Sequence, residues 1–126
     1  MKRTILLSLM VIVALTLSAC GVDSADGSAN YSPEEKASIS SFAQCLTDAG
    51  AAMYGAEWCS HCKAQKALFG DSFEDVLYYE CTVEVDACNA AGIEGYPTWV
   101  VDGKKYPGEQ SFQTLGVLTG CEVPTI

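Results

Sequence analysis

Two cysteines separated by two residues, Cys59 and Cys62, limit most strongly what this chain can fold into. They lie in the stretch MYGAEWCSHCKAQKALFG, between a short apolar run and a segment with the residue pattern of a helix. A pair with this spacing can form a structural disulfide, hold a metal ion or act as a redox reagent. The rest of the sequence has to distinguish among these three uses.

The beginning of the chain has the pattern of an export signal. Two basic residues precede an apolar run over residues 5–17, which is shorter than the ~20 residues that span a membrane. The LSAC box that follows resembles the lipobox of bacterial lipoproteins, in which the cysteine becomes the acylated first residue. We therefore expect a signal peptide over residues 1–19, a lipid on Cys20, and a location in the periplasm or on the outer face of the cytoplasmic membrane. An ordinary secretory signal with an incidental cysteine is the alternative.

The exported part of the chain is strongly acidic. The full sequence has 7 basic and 16 acidic residues, and residues 1–19 carry two of the basic ones, so the remainder has a formal charge of −11. Such a surface argues against binding nucleic acid or anionic lipid headgroups through charge. We expect a monomer that contacts the membrane through the lipid on Cys20, by way of a flexible tether over residues 20–32.

Residues 33–126 have the periodicity of one modest α/β domain. The motif SPEE opens its first helix, with Ser32 as the cap and Glu35 as the capping-box partner. A DG pair marks a tight hairpin between the last two strands. The sequence predicts helices over residues 33–49, 60–69, 87–91 and 112–118, and strands over residues 51–54, 76–79, 98–101 and 104–106. This order indicates a small central mixed β-sheet flanked by helices.

The chemistry of the cysteine pair follows from its place at a helix start. Unpaired backbone N–H groups and the positive end of the helix dipole favour the thiolate of Cys59. Cys62 lies one turn further in, where it can attack a mixed disulfide formed at Cys59. We therefore predict that Cys59 is the nucleophile and Cys62 the resolving thiol. Ser60 and His61 are expected to tune the pair, since a partly charged imidazole stabilises a nearby thiolate; a solvated His61 without influence is the alternative.

The order of the motifs carries a family resemblance. AEWCSHC, then GYPTW with Pro97 placed 35 residues after Cys62, then a DG hairpin and a terminal helix resemble the thioredoxin fold. The stretches MYGAEWCSHCKAQKALFG and CNAAGIEGYPTWVVDGKKYPGEQS are also similar to the thioredoxin-like domain of bacterial homologues of vitamin K epoxide reductase. The resemblance covers about residues 37–121. It implies a thioredoxin-like fold and thiol–disulfide exchange.

The resemblance also implies roles for residues outside the CxxC motif. Pro97 has the position of a cis-proline that faces the cysteines, which would leave the backbone of Tyr96 free to pair with an extended substrate. Trp58 is expected to border the substrate groove and to help tune the pair. Cytosolic thioredoxins place a buried aspartate six residues before the first CxxC cysteine, whereas this chain has Met53. That difference weakens the case for a dedicated reductase.

Export favours disulfides among the six cysteines that follow Cys20, although six cysteines allow 15 connectivities. The related reductase domains carry a pair comparable to Cys81 and Cys88, so we expect one structural bridge there. A second is expected between Cys45 and Cys121. The alternative for either pair is a redox relay that passes electrons to the CxxC motif.

Three classes of function remain open. The first is a lipid-anchored thiol–disulfide oxidoreductase that oxidises or isomerises disulfides of exported proteins, with the Cys59–Cys62 pair as its redox centre and no further cofactor. Its electron partner would be a vitamin K epoxide reductase-like or another membrane protein; a membrane-fed reductase, for example in cytochrome maturation, is the runner-up. The second is a metal-binding lipoprotein that uses Cys59, Cys62 and His61, for which the sequence offers no second ligand pair of suitable spacing. The third is a redox-inactive binding module.

Overall fold

The structure is a computed structural model, and it describes residues 29–126. The predicted signal peptide over residues 1–19, Cys20 and most of the predicted tether lie outside those residues. Within them, no helix combines the length and the apolar character needed to cross a membrane. Tyr31, in the last part of the predicted tether, packs against the core, and its hydroxyl donates to the carbonyl of Leu68 at 3.1 Å. Contact with the domain therefore begins before the first helix.

Helices and strands alternate along the described chain. The α-helices are α1 (Pro33–Asp48), α2 (Ser60–Phe69), α3 (Val85–Ala90) and α4 (Phe112–Thr119), with a 3₁₀ helix over Gly70–Asp75. The strands are β1 (Ala52–Gly55), β2 (Tyr78–Glu80), β3 (Thr98–Val101) and β4 (Lys104–Pro107). This order confirms the predicted succession of helices and strands, and it adds the 3₁₀ helix.

The strands of residues 29–126 form one mixed sheet in the order β2-β1-β3-β4. Strand β1 runs parallel to β2 and antiparallel to β3, and β4 pairs antiparallel with β3. Met53 lies in the middle of the sheet, opposite Tyr78 on one side and Trp99 on the other. The β3–β4 hairpin turns at Asp102 and Gly103, whose φ angles of 49° and 72° are the left-handed values that a type I′ turn needs. This mixed sheet with its flanking helices is a thioredoxin-like fold.

An aromatic cluster joins the sheet to the helices. The ring of Phe69 lies 6.4 Å from that of Phe42, 4.9 Å from that of Phe112 and 6.1 Å from that of Trp99, measured between centroids. Each of the four side chains is 5% exposed or less, and each belongs to a different element. Burial of these rings holds α1, α2 and α4 against β3. The cluster thereby fixes the direction in which α2 leaves the CxxC motif.

Helix α1 begins at the capping box that the sequence predicts. Ser32 Oγ accepts the backbone N–H of Glu35 at 3.2 Å, and the Glu35 carboxylate accepts the backbone N–H of Ser32 at 2.6 Å. These two bonds satisfy N–H groups that have no partner inside the helix. The start of α1 is therefore fixed by local sequence.

Strand β2 differs from its predicted position over residues 76–79. The 3₁₀ helix Gly70–Asp75 ends with a hydrogen bond from the Val76 N–H to the Phe73 carbonyl at 3.0 Å. Val76 is already extended, but its N–H makes that bond and the N–H of Leu77 donates to Thr47 Oγ1 at 2.9 Å, so the paired strand β2 begins at Tyr78. Strand β1 and helix α3 also differ by one or two residues from their predicted bounds.

Disulfides connect distant and neighbouring parts of the described chain. One joins Cys45 in α1 to Cys121 just after α4, across 76 positions of sequence. The other joins Cys81 after β2 to Cys88 in α3, across 7 positions. The structure thus brings together the cysteines that the sequence analysis assigns to structural bridges, and it leaves the CxxC pair, within residues 29–126, as free thiols.

Candidate active site

Cys59 is the N-cap residue of α2. Its Sγ accepts a hydrogen bond from the backbone N–H of Cys62 at 3.2 Å, in the place where a serine or aspartate oxygen commonly caps a helix. The preceding turn is closed by the Cys59 N–H, which donates to the Ala56 carbonyl at 3.1 Å. The helix N-terminus therefore directs N–H groups and its positive dipole end at this sulfur.

Cys62 lies one turn into α2 and has no exposed surface, whereas 6% of Cys59 remains exposed. Burial and a hydrogen bond with Cys59 raise the pKa of the Cys62 thiol to about 11. A backbone hydrogen bond at Ala56 and the charge of Lys66 act in the opposite direction and are outweighed. The two thiols therefore differ: Cys59 caps the helix and keeps a small exposed surface, and Cys62 is a fully buried, protonated thiol behind it.

Tyr96 and Pro97 approach Cys59 from the loop before β3. The Tyr96–Pro97 peptide bond is cis, and the Tyr96 carbonyl oxygen lies 3.6 Å from Cys59 Sγ. Trp58 packs edge-on against the Tyr96 ring, with centroids 5.9 Å apart, and is 67% exposed. The nucleophilic sulfur, a backbone carbonyl and an exposed indole thus border one surface.

Ser60 and His61 form the first turn of α2, and both are exposed. His61 Nδ1 lies 2.6 Å from the carboxylate of Glu109, on the loop between β4 and α4. In the part of the chain that the structure describes, no hydrogen bond joins His61 to either thiol, and no group of three or more His, Cys, Asp or Glu side chains is arranged to hold a metal ion. An effect of His61 on Cys59 stays a prediction, and Glu109 would neutralise part of the imidazole charge.

Gln65 belongs to none of the motifs recognised in the sequence. It lies on the buried face of α2 with no exposed surface. Its Oε1 accepts from Trp99 Nε1 at 3.1 Å and from the backbone N–H of Gln110 at 2.6 Å, and its Nε2 donates to the Gln110 carbonyl at 3.0 Å. Gln65 thereby ties α2 to β3 and to the loop before α4. The spacing in the sequence could have indicated that Gln65 is buried. Cys62, Gln65 and Phe69 fall on one helical face, so a polar side chain interrupts a stripe of buried residues.

The sequence analysis also does not single out Tyr78 and Glu80 on β2. The Tyr78 hydroxyl donates to Glu80 Oε2 at 2.6 Å, and Glu80 Oε1 accepts the backbone N–H of Glu57 at 3.1 Å and the hydroxyl of Thr82 at 2.9 Å. Burial and the bond to Glu80 hold the pKa of Tyr78 well above its usual range. Partial burial would raise the pKa of Glu80, but the hydrogen bonds that it accepts outweigh this and lower it. Tyr78 and Glu80 are two positions apart and so share one face of the strand, which is the signal that could have paired them.

Comparison with known proteins gives relatives that are named for disulfide chemistry. No protein-family model matches the chain. The chain is 37% identical over 135 aligned residues to the thiol-disulfide oxidoreductase LTO1 of Arabidopsis thaliana. That alignment covers 92% of this chain and 36% of the Arabidopsis protein. It is also similar to the protein disulfide-isomerases of Aspergillus niger, at 29% identity over 76 residues, and of Arthroderma benhamiae, at 32% over 100 residues.

The alignment to the Aspergillus niger isomerase covers 51% of this chain and 15% of that protein. The alignment to the Arthroderma benhamiae isomerase covers 72% of this chain and 19% of that protein. The chain therefore spans about a third or less of the length of these curated relatives. The fold and the relatives together support a thioredoxin-like family for this chain.

Proposed function

We propose that this protein is a thiol–disulfide oxidoreductase whose redox centre is the Cys59–Cys62 pair. The observation that carries the proposal is the asymmetry of the pair: Cys59 Sγ caps α2 and this residue keeps 6% of its surface exposed, whereas Cys62, one turn behind it, has none. Exchange needs one accessible, stabilised thiolate and one protected thiol within reach of it. The relatives named for disulfide oxidoreduction and isomerisation support the same chemistry.

In the reductive half of the cycle, the Cys59 thiolate attacks a substrate disulfide and forms a mixed disulfide, releasing one substrate sulfur as a thiolate. Cys62 then attacks Cys59 Sγ, which forms the Cys59–Cys62 disulfide and releases the second substrate sulfur. Two electrons pass from the protein to the substrate. In the oxidative direction the same steps run in reverse, and a substrate dithiol gains the disulfide.

We favour oxidation or isomerisation of disulfides in exported proteins over reduction. The chain has Met53 at the position where cytosolic thioredoxins have a buried aspartate, and His61 would stabilise the reduced form if it carried charge. A membrane-fed reductase, for example in cytochrome maturation, is the second candidate. The resemblance to the thioredoxin-like domain of vitamin K epoxide reductase homologues supports a membrane protein of that kind as electron partner. In either direction the electron partner would be a membrane protein of that kind, and the substrates would be cysteine-containing exported proteins.

A glutathione redox titration of the purified protein tests this proposal. We expect one two-electron transition, which disappears in the Cys59→Ser variant while the Cys45–Cys121 and Cys81–Cys88 bridges stay oxidised. A midpoint potential of about −120 mV would favour the oxidant, and a midpoint potential of about −270 mV would favour the reductant. The absence of any reversible transition in the wild-type protein would exclude a dithiol redox centre.

Export and lipid anchoring form a further part of the proposal. The lipobox-like LSAC at residues 17–20 supports acylation of Cys20, and the two bridges suit an oxidising compartment. We expect the mature N-terminus to carry the lipid in the wild-type protein and to lack it in Cys20→Ser, as measured by mass spectrometry of the N-terminal peptide. An acylated N-terminus in the Cys20→Ser protein would refute this assignment.

A further inference from the structure

The exchange reaction requires Cys62 to lose its proton inside the protein. Cys62 has no exposed surface, so bulk water does not contact Sγ. Burial also keeps the pKa of the thiol at about 11, so the thiolate is rare near neutral pH. The resolving attack therefore depends on a group of the protein that takes the proton.

Gly55 lies between Cys62 and a hydroxyl on the neighbouring strand. A Cβ built on Gly55 would lie 3.0 Å from Cys62 Sγ and 3.1 Å from the hydroxyl oxygen of Tyr78. The separation of sulfur and oxygen therefore cannot exceed the sum of those two distances, which one bridging water can span. Because glycine has no side chain, the space between the thiol and the hydroxyl stays open.

Tyr78 connects this space to a carboxylate nearer the surface. Its hydroxyl donates to Glu80 Oε2 at 2.6 Å, and Glu80 is partly exposed. Lys66 Nζ lies 3.8 Å from the centroid of the Tyr78 ring, which places a positive charge beside the same path. The titratable groups that act on Tyr78 or lie against its ring come from α2 and β2: Cys59, Cys62, Lys66 and Glu80.

We propose that Tyr78 and Glu80 form the proton path from Cys62 in the resolving step, an inference that rests on the proposed exchange function. Cys62 gives its thiol proton through one bridging water to the Tyr78 oxygen while Tyr78 passes its hydroxyl proton to the Glu80 carboxylate. The Cys62 thiolate attacks Cys59 Sγ, the Cys59–Cys62 bond forms, and the bond from Cys59 to the substrate sulfur breaks. The electron pair of that bond leaves on the substrate sulfur. Glu80 releases the proton to water, and the substrate thiolate takes up a proton there.

Tyr78 and Glu80 differ in protonation state between turnovers. Burial and the bond to Glu80 keep the pKa of Tyr78 far above neutral, so Tyr78 keeps its proton between turnovers and acts as a relay. Accepted hydrogen bonds outweigh partial burial and lower the pKa of Glu80, so the carboxylate is ionised at rest and holds the proton only in passing before releasing it to water. General-base assistance of this kind typically accelerates a step by roughly 10²–10⁴-fold.

The test separates the two chemical steps of one turnover. The protein, with its bridges intact and Cys59 and Cys62 reduced, is mixed with one equivalent of dithiobis-nitrobenzoate, and the released thionitrobenzoate is followed by absorbance. Attack by Cys59 releases the first equivalent in a phase that depends on concentration. Attack by Cys62 releases the second equivalent in an intramolecular phase, which isolates the step that needs the proton path.

We expect Tyr78→Phe to leave the first phase unchanged and to slow the second by roughly 10- to 100-fold. Glu80→Gln should slow the second phase in the same way. Tyr79→Phe is the matched control, because this neighbouring ring stacks on Tyr54 with centroids 4.7 Å apart and donates to no group of the path. In the wild type, the second phase should vary little from about pH 6 to about pH 9, whereas in Tyr78→Phe it should rise about tenfold for each pH unit.

Gly55→Ala gives a second test that removes no polar group. Its Cβ would crowd both the Cys62 sulfur and the Tyr78 hydroxyl, and we expect a slower second phase here too. Equal second phases in the wild type, Tyr78→Phe and Glu80→Gln would overturn the proton path and leave the exchange function intact. Release of only one equivalent by the wild type would overturn both, since the pair would then form no disulfide.

Discussion

At the scale of single residues, the environment of Cys62 gives a titration that can be measured directly. Burial and the bond with Cys59 raise the pKa of its thiol from 9.0 to about 11. We expect the Cβ carbon resonance of Cys62 in the reduced protein to titrate near pH 11, and Lys66→Met to move that midpoint higher because a stabilising charge is lost. A midpoint at or below 9.0 would contradict the burial that the structure assigns to this thiol.

The same shift has a consequence for stability. Because the folded protein favours the neutral thiol, the contribution of Cys62 to stability is complete below about pH 9.0 and is lost as the pH rises through about 11. The contribution of the neutral Cys62 thiol to stability is therefore lost at alkaline pH and not at acid pH.

Gln65 provides a second prediction at this scale. Gln65→Leu would leave the indole N–H of Trp99 and the backbone N–H of Gln110 without their acceptor in a buried site. We expect the free energy of unfolding to fall by about 2–4 kcal/mol, since each unpaired buried group costs about 1–3 kcal/mol. Gln113→Leu, at an exposed position of α4, is the control and should change it by less than about 0.5 kcal/mol. Equal effects of the two changes, measured by urea unfolding, would show that the Gln65 bonds contribute little.

Residues differ in how far sequence can reveal their roles. The CxxC motif, the capping Ser32 and the DG turn are recognisable because their chemistry is local: each acts on backbone groups within a few positions of itself. Gln65 bonds to Trp99 and Gln110, and Tyr78 lies beside Cys62 of α2; nothing in the immediate sequence of either residue identifies these partners in other elements. Only the folded sheet places Tyr78 beside the buried thiol.

At the scale of elements, the boundaries of helices and strands are predictable where local sequence marks them and not where they depend on contacts with other elements. Helix α2 spans the predicted Ser60–Phe69 because an N-cap and a C-terminal glycine mark its ends. Strand β2 does not begin where apolar residues begin, because the N–H groups of Val76 and Leu77 bond to Phe73 and Thr47 and not to a neighbouring strand. An apolar run predicts burial more reliably than it predicts which residues pair in a sheet.

The two bridges should stabilise these elements by unequal amounts. In the chain-entropy treatment, a link across 76 positions stabilises the fold by about 4–5 kcal/mol and a link across 7 positions by about 2–3 kcal/mol. We therefore expect Cys45→Ala/Cys121→Ala to lower the free energy of unfolding more than Cys81→Ala/Cys88→Ala does. Both should be measured by urea unfolding in a Cys59→Ala/Cys62→Ala background, which prevents exchange with the bridges. A larger loss from the short link would refute the entropic ordering.

At the scale of the whole molecule, the fold brings together segments that are far apart in sequence. Cys59 meets the carbonyl of Tyr96 across 37 positions, and His61 meets Glu109 across 48. The alternation of helices and strands was sufficient to predict the fold class, because an α/β pattern with short connections allows few arrangements. The contact between His61 and Glu109 was not predictable, because it depends on how the first turn of α2 and the loop before α4 lie once the sheet has formed.

The central claim is that Cys59 attacks and Cys62 resolves, and trapping of reaction partners tests it most directly. Cys62→Ser and Cys59→Ser are expressed with export into an oxidising compartment, separated on non-reducing gels, and their adducts are identified by mass spectrometry. Cys62→Ser should accumulate mixed disulfides through Cys59, since attack proceeds but resolution does not. Cys59→Ser should accumulate none, because the remaining thiol is buried. Trapping by Cys59→Ser alone would reverse the two roles, and trapping by neither variant would contradict thiol–disulfide exchange at this site.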